Sequence, residues 1–426
     1  MKIQKILKRL LQLHPKSVDL SLNRIKRLLK DLKNPEKKIE NVVQVVGTNG
    51  KHSFCTSLRE IFETAGYKVN LNISPSLRKF NERYYFSGKY ISDKKLLNLL
   101  TEVEEINQGK NITFHEFICA CYFLESSRNK SDINIIESGL FFRLDASNVF
   151  KENMASVIMP IGIDHKDFLK KGTIDEIVYE KCSHLLDKSK IFISEQRSSV
   201  LTKIIKSISN NSSKKFIFGQ NFNYKKFSKG FIYKDNLGEI NLPLPNLLGD
   251  FQITNICTAI AVSRNLKKYK IRESHISKAI TKIRSEGRLQ NLTHGKLLNY
   301  VCKDNKILID GAHNKLAALQ IKKYLRTLNK NKKIILMLGM MSNKDHKGFI
   351  QALKNVIDSI VVLDIPNQIN SIKKEKLLNI AISCGIPARK ESSIKSAFKS
   401  ISKKDNNAII FCTGSLYFAG EVLNLN

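Results

Sequence analysis

The stretch Gly47-Thr48-Asn49-Gly50-Lys51-His52-Ser53 constrains this chain more than any other. It follows an apolar, β-branched run, Asn41 to Val46 (NVVQVV), and leads into a helical pattern that reaches about Ala65 and is closed by Gly66. In such a strand-to-helix turn, successive backbone N–H groups form a concave nest for phosphate oxygens. The helix N-terminus adds partial positive charge, and a lysine reaches the terminal phosphates. Glycine is needed because a Cβ would hold the backbone away from the anion. The generic phosphate-loop pattern asks for a glycine five residues before Gly50, where Val45 stands, so the generic match is incomplete.

The rest of the chain supplies the sheet such a loop requires. Ile133–Glu137 (INIIE), Ala155–Ile161 (ASVIMPI) and Lys190–Ser194 (KIFIS) read as buried strands, with helical stretches around 93–108, 115–128 and 173–187. Continuous apolar strands separated by helices predict a mostly parallel sheet covered on both faces. From about 205 to 245 the character changes. A Ser/Asn/Lys stretch precedes strand-like pieces near 215–219 and 231–242, read as an antiparallel appendage to the first sheet, and a helix follows from about Gln252 to Leu266. Ser285–Gly295 reads as a loop, after which alternation restarts: strands at Ile307–Asp310, Lys333–Leu338, Ile360–Asp364 and Ala408–Cys412, helices near 314–328, 346–357, 372–384 and 393–402. This is an α/β chain with a second, smaller α/β domain from about residue 296, and a ligand between the two domains is the default expectation.

Composition bounds the alternatives. At 426 residues there is room for roughly two to three domains of about 150 residues each. Lys+Arg number 72 against 38 Asp+Glu, a formal charge of +34, which would attract polyanions. Most of these cations are lysines spread from Lys2 to Lys404, Asn and Ile are abundant, and no aromatic-studded basic motif of the RNA-binding kind is present. Compositional bias explains that pattern better than a nucleic-acid surface does. The eight cysteines contain no Cys-x-x-Cys pair, the pattern of reduced thiols in a cytosolic protein. No apolar run approaches the ~18 residues of a membrane span. The basic, amphipathic Met1–Leu13 is expected to be the first helix of the fold rather than a transit peptide.

Three further clusters fall at strand ends. Glu137 closes its strand and is followed by Arg143-Leu144-Asp145-Ala146-Ser147-Asn148; an acid at a strand's carboxyl end beside a phosphate loop is where Mg²⁺ is usually held. Asp164-His165 follows the next strand, with Glu180-Lys181 on the helix after it. Asp310-Gly311-Ala312-His313-Asn314 directly follows the first strand of the second domain, the usual site position in a doubly wound sheet.

Together these residues resemble the folylpolyglutamate synthase and dihydrofolate synthase family, within the Mur-type ATP-dependent amide ligases. The resemblance covers nearly the whole chain, from His14-Pro15-Lys16 with Asp19-Leu20, through the loop GTNGK, Ser74-Pro75 with Phe80-Asn81-Glu82-Arg83, and Arg143 to Asn148, to Gly287-Arg288 and Asp310–Asn314. It implies a P-loop-type, mostly parallel ATP-binding domain over 1–290 and a smaller Rossmann-like α/β domain over 296–426. The implied activity joins L-glutamate to dihydropteroate, to (tetrahydro)folate, or to both through an acyl phosphate, in folate biosynthesis and one-carbon metabolism. It implies ATP contacts at Thr48, Asn49, Gly50, Lys51 and Ser53, and at Asn255, Arg288, Asp310 and His313 across a domain cleft that closure would complete. Ser74, Glu137 and His165 would hold the first Mg²⁺, and a carbamylated Lys181 would help bind a second. Lys51, His165 and Lys181 are then the catalytic set, with Thr113 and Asp145 toward the pterin end of the acceptor. A cytoplasmic monomer using small molecules, without nucleic acid or membrane, is expected.

Four departures stand out from the family pattern. His52 replaces the glycine of Lys-Gly-Ser, Phe141-Phe142 replace two glycines before Arg143, Ser76 stands where many members carry a bulkier residue, and Lys315 replaces the proline of His-Asn-Pro. These imply retained ATP chemistry beside a reshaped organic-substrate pocket. The competing readings are a Mur-type ligase for another amino acid and acceptor, a basic nucleic-acid-binding ATPase, and a non-catalytic relative.

Overall fold

A computed structural model describes residues 2–16, 18–328 and 332–426; Met1, at the start of the basic amphipathic stretch, lies outside them. The chain divides into two compact units. One comprises Met1–Gly162, Phe168–Asn246 and Thr254–Ile283; the other comprises Ile163–Asp167, Leu247–Ile253 and Arg284–Asn426.

The first unit is built on an eight-stranded sheet of β1 (Val42–Val46), β2 (Val69–Asn72), β3 (Tyr84–Phe86), β4 (Lys89–Tyr90), β5 (Ile133–Glu137), β6 (Ala155–Ile158), β7 (Lys190–Ile193) and β8 (Lys214–Ile217), in the order β4-β3-β2-β5-β1-β6-β7-β8. All but β3 and β4 run parallel. Every residue of β1 and β5 is buried, as strands covered on both faces must be. β1 lies between β5 and β6, with Val45 opposite Glu137 and Val46 opposite Ile158. The loops leaving these three strands therefore start side by side at one sheet edge.

The basic N-terminal stretch forms the helix Lys2–Leu10, which buries Ile6, Leu7 and Leu10 in the core cluster. The next helix, Asn23–Asp31, buries Ile25, Leu28 and Leu29 at i, i+3, i+4 spacing. Each such side chain stabilises the fold by roughly 1.5–3 kcal/mol.

Three strand expectations need correction. The 215–219 piece is no antiparallel appendage: β8 pairs parallel with β7 and extends the main sheet, Phe216 stacking on Phe192 at 4.7 Å. The antiparallel part is a separate three-stranded meander, β9 (Phe222–Phe227), β10 (Gly230–Asp235) and β11 (Gly238–Pro243). The run expected to reach Ile161 ends at Ile158, because Pro160 has no N–H to continue a ladder.

The second unit carries a six-stranded sheet of β12 (Gln290–Leu292), β13 (Lys306–Ile309), β14 (Lys333–Leu338), β15 (Ser359–Val362), β16 (Ala388–Lys390) and β17 (Ala408–Thr413), in the order β12-β13-β17-β14-β15-β16. All pair parallel except β12, which lies antiparallel to β13. The stretch read as loop at 285–295 thus contains an edge strand, too short and polar to show in the pattern. Among the described residues no helix is long and apolar enough to cross a membrane.

Candidate active site

β1 ends in the loop 47–50, and the helix Lys51–Thr64 starts directly after it. Gly47 (φ 146°) and Gly50 (φ 81°) have backbone conformations that disfavour a side chain. Neither has room for one. A Cβ on Gly47 would stand 2.7 Å from Met159 Cβ, and one on Gly50 2.6 Å from Asn255 Oδ1. Asn255, buried on the helix Asp250–Asn265, is thus the wall against which the loop closes.

The N–H groups of Thr48 and Asn49 both donate to Pro160 O, at 2.9 and 3.1 Å, and Thr48 Oγ1 donates to Gly162 O at 3.0 Å. These bonds tie the loop to the segment leaving β6. Of the expected loop Gly47–Ser53, the Thr48 and Asn49 N–H groups are thus directed at Pro160 O, while those of the first helical turn have no acceptor within the helix.

Lys51 folds back over its own loop, Nζ donating to Gly47 O at 3.0 Å and lying 3.8 Å from Glu137 Oε1. Lys181, on the helix Ile174–Cys182, reaches the same carbonyl from elsewhere: its Nζ donates to Gly47 O at 3.1 Å and also to Leu140 O. Glu137, the last residue of β5, accepts from Ser74 N at 3.2 Å, Ser74 preceding a cis bond to Pro75. Lys51, Ser74, Glu137 and Lys181 come from four separate segments and meet at one sheet edge.

The donor set suits a hard divalent cation only in part. Glu137 and the Ser74 hydroxyl offer oxygens of the kind Mg²⁺ takes beside phosphates. Among the described residues no group of three or more His, Cys, Asp and Glu side chains forms a metal cage, so phosphate oxygens and water would complete such a shell. Lys181 as an ammonium is matched to two carbonyl acceptors and does not fit a cation.

The motif after β5 is held by a two-pronged ion pair. Arg143 Nη2 and Nε reach the Glu180 carboxylate at 2.8–3.1 Å, and the N–H groups of Phe142 and Arg143 donate to Glu180 O. Phe141 and Phe142 pack inward: Phe142 joins Ile158, Val178 and Cys182 in a buried cluster, and the Phe141 ring lies 5.3 Å below Lys181 Nζ. Both rings of the aromatic pair are buried, Phe142 within the core cluster and Phe141 beneath Lys181.

Thr113 and Asp145 both have structural partners. Thr113 caps the helix Phe114–Arg128 in a reciprocal box with Glu116. Buried Asp145 accepts from Gly139 N, Ser147 N and Ser147 Oγ, and lies 3.4 Å from His115 Nε2, itself 3.7 Å from Cys119 Sγ. Burial alone would raise the Asp145 pKa; His115 and the Ser147 hydrogen bonds outweigh it and hold the group below its ordinary value. His115 went unnoticed in the sequence. Its i, i+4 spacing with Cys119 was visible, but not that the 138–147 loop returns to it.

In the second unit Asp310 follows β13 and organises the turn, Oδ2 accepting from Leu289 N at 2.6 Å and Oδ1 from Ala312 N at 2.7 Å; burial raises its pKa. Arg288 lies beside this turn, its Nη1 2.8 Å from where a Gly311 Cβ would be. His313 Nδ1 bonds Gly311 O at 2.9 Å, and Nε2 is 3.3 Å from Asp164 Oδ2. His165, beside Asp164, holds a left-handed backbone (φ 54°). The segment 163–167 is grouped with this unit. Lys344 was missed: it lies past the end of β14, and its Nζ donates to Asp164 Oδ1 at 2.6 Å.

A glycine-bound phosphate loop, a lysine over it, an acid at the neighbouring strand end and a second α/β unit define an ATP-dependent ligase of the Mur type. Residues 45–263 match the Mur ligase middle domain, and residues 295–425 match the dihydrofolate synthetase C-terminal domain. The chain belongs to the Mur ligase family, in its dihydrofolate synthase/folylpolyglutamate synthase branch. It is 29% identical over 392 residues to the dihydrofolate synthase/folylpolyglutamate synthase of Buchnera aphidicola from Schizaphis graminum, covering 89% of this chain and 87% of that one. E. coli FolC in complex with DHPP and ADP superposes with a TM-score of 0.88 at 25% identity, over 99% of this chain and 97% of that one. The bifunctional enzyme of Yersinia pestis complexed with AMPPNP and Mn ion has the same fold, with a TM-score of 0.86 at 22% identity over 99% and 97% of the two chains.

Proposed function

We propose that the chain joins the α-amine of L-glutamate to the carboxylate of dihydropteroate, of a reduced folate, or of both, using ATP and Mg²⁺. The observation that carries this reading is the meeting of Lys51 and Lys181 at Gly47 O, with Glu137 3.8 Å from Lys51 Nζ and Ser74 N donating to the same Glu137 carboxylate. A carboxylate is a poor electrophile, because its charge is delocalised and its leaving group would be oxide. Transfer of the γ-phosphoryl group to a carboxylate oxygen makes an acyl phosphate and ADP; the neutral amine then attacks the carbonyl carbon, the C–O bond breaks, phosphate leaves, and the nitrogen gives up a proton to solvent. Such a step asks the protein mainly to neutralise charge and align reactants.

In this reading the first-turn N–H groups from Gly50 to Ser53 cradle phosphate oxygens, and Lys51 swings from Gly47 O onto the β- and γ-phosphates. Thr48 and Asn49 shape the loop, with Asn255 behind it. Arg288, Asp310 and His313 contribute to nucleotide binding, and Thr113 and Asp145 to the acceptor. Ser74, Glu137 and His165 would hold Mg²⁺, which neutralises phosphate charge when bound. A carbamylated Lys181 would give up its carbonyl partners and offer a carboxylate to a second ion. Intact mass in bicarbonate buffer is expected to show the gain of one CO₂, lost in Lys181→Met; plain lysine there removes the second-ion part. We assign residues 1–290 to the ATP-binding domain and 296–426 to its C-terminal partner, in a cytoplasmic monomer without nucleic-acid or membrane partners.

The decisive assay supplies ATP, Mg²⁺ and labelled glutamate with dihydropteroate or tetrahydrofolate in separate reactions. ADP and a labelled amide should form with at least one acceptor. Failure with both rejects the reading, and full activity in Lys51→Ala rejects the phosphate-loop assignment.

A further inference from the structure

Asp164 is a carboxylate with too many partners to be a simple loop residue. Its side chain is 7% exposed. Oδ1 accepts from Lys344 Nζ at 2.6 Å and from His165 N at 2.9 Å. Oδ2 accepts from Asn314 Nδ2 at 3.0 Å and lies 3.3 Å from His313 Nε2. The donors come from three places in the second unit: the 163–167 segment, the turn after β13, and the loop after β14.

Two details show that the arrangement is directional. His313 Nδ1 lies 2.9 Å from Gly311 O and Nε2 3.3 Å from Asp164 Oδ2, so a partner on each side of the ring fixes its orientation. Asn314 divides its amide, Oδ1 capping the helix Lys315–Leu325 through Ala317 N at 3.0 Å while Nδ2 binds Asp164. The carboxylate thus fixes which way the His313 ring and the helix start point. Lys344, only 10% exposed, keeps the buried anion compensated. Losing one partner of such a pair leaves an uncompensated charge, a severe penalty.

We propose that Asp164 is a positioning residue for the ligase reaction, with Lys344 as the counter-ion that lets it act: the pair sets His313 and the backbone of His165. Neither is assigned contact with a reactant. The proposal rests on the function proposed above, for which His165 and His313 serve metal and nucleotide.

The test compares Asp164→Asn, Lys344→Met, Lys344→Arg and the double variant Asp164→Asn/Lys344→Met. Replacing partners that orient a ligand costs about 10–100-fold. We expect kcat to fall by that order in Asp164→Asn and Lys344→Met with the acceptor KM held within about twofold, Lys344→Arg to recover most of the loss, and the double variant to be no worse than either single one. A kcat near wild type in Asp164→Asn, equal losses in Lys344→Arg and Lys344→Met, or multiplicative losses in the double variant overturns the proposal. Should Asp164→Asn fail to fold, the Lys344 pair decides alone. Should the wild-type chain ligate no glutamate, the function fails separately, and Mn²⁺ binding with ADP, followed by electron paramagnetic resonance, decides the positioning role. Asp164→Asn or Lys344→Met should then weaken Mn²⁺ by about tenfold or more; unchanged affinity overturns it.

Discussion

Gly50 has two separate reasons to be glycine: a φ of 81° and an Asn255 oxygen 2.6 Å from any added Cβ. The first costs an L-residue about 1–3 kcal/mol and the second forces the buried Asn255 side chain to shift. Gly50→Ala should therefore weaken ADP binding by about tenfold or more, read by titration calorimetry; unchanged affinity would show that the loop relaxes freely. Phe142 is the opposite case. It stands where relatives carry glycine, yet it is wholly buried among Ile158, Val178 and Cys182. Phe142→Gly should cost stability on the scale of other large core truncations, about 3–5 kcal/mol, measured by urea unfolding. Lys315, at the first helical position after Asn314, is exposed; proline's fixed φ would suit that position, but nothing there requires it. The glycines of the turn after β1 were legible because positive φ and close packing restrict residue type locally. The inward turn of the Phe pair was not, since side-chain direction after a strand end depends on which helix covers it.

At the scale of elements, the 138–147 loop is pinned to the helix Phe114–Arg128 through Asp145 and His115. Burial disfavours the His115 charge, but Cys119 and Asp145 more than offset it and leave the pKa well above 6.5. The signs follow from linkage. Asp145 stabilises the fold above its ordinary 3.8 and loses that contribution as pH falls through its lowered folded value. His115 contributes fully below 6.5 and loses its share as pH rises through its raised folded value. Urea midpoints should therefore fall in acid below 3.8, and Asp145→Asn should be less stable near neutrality with a flatter acid limb. An identical acid limb in both proteins would exclude the pair as its origin. The helices and central strands were legible from their periods, whereas β12 and β16, three residues each, carry too few residues for any period and exist because a neighbouring strand accepts them.

For the whole molecule, the nucleotide is the informative probe. A ligand present at 100 times its Kd stabilises the state it binds by about 2.7 kcal/mol. Mg²⁺ with ADP should raise the thermal midpoint, and Lys51→Ala should abolish most of the gain; equal shifts in both proteins would place the nucleotide elsewhere. The charge of +34 makes non-specific anion effects a necessary control, so the shift is best compared with that from pyrophosphate alone. The sequence by itself determined the α/β alternation, the glycine turn between β1 and its helix, and the order of the strand-end motifs, because backbone periodicity and turn stereochemistry are set by residues close along the chain. Tertiary structure alone decided that Lys51 and Lys181 share Gly47 O, that Thr48 and Asn49 are bound to Pro160, and that Asp164 joins Lys344, His313 and Asn314. Those pairings span up to 180 residues. They depend on the order in which strands enter a sheet, and no local pattern encodes that order.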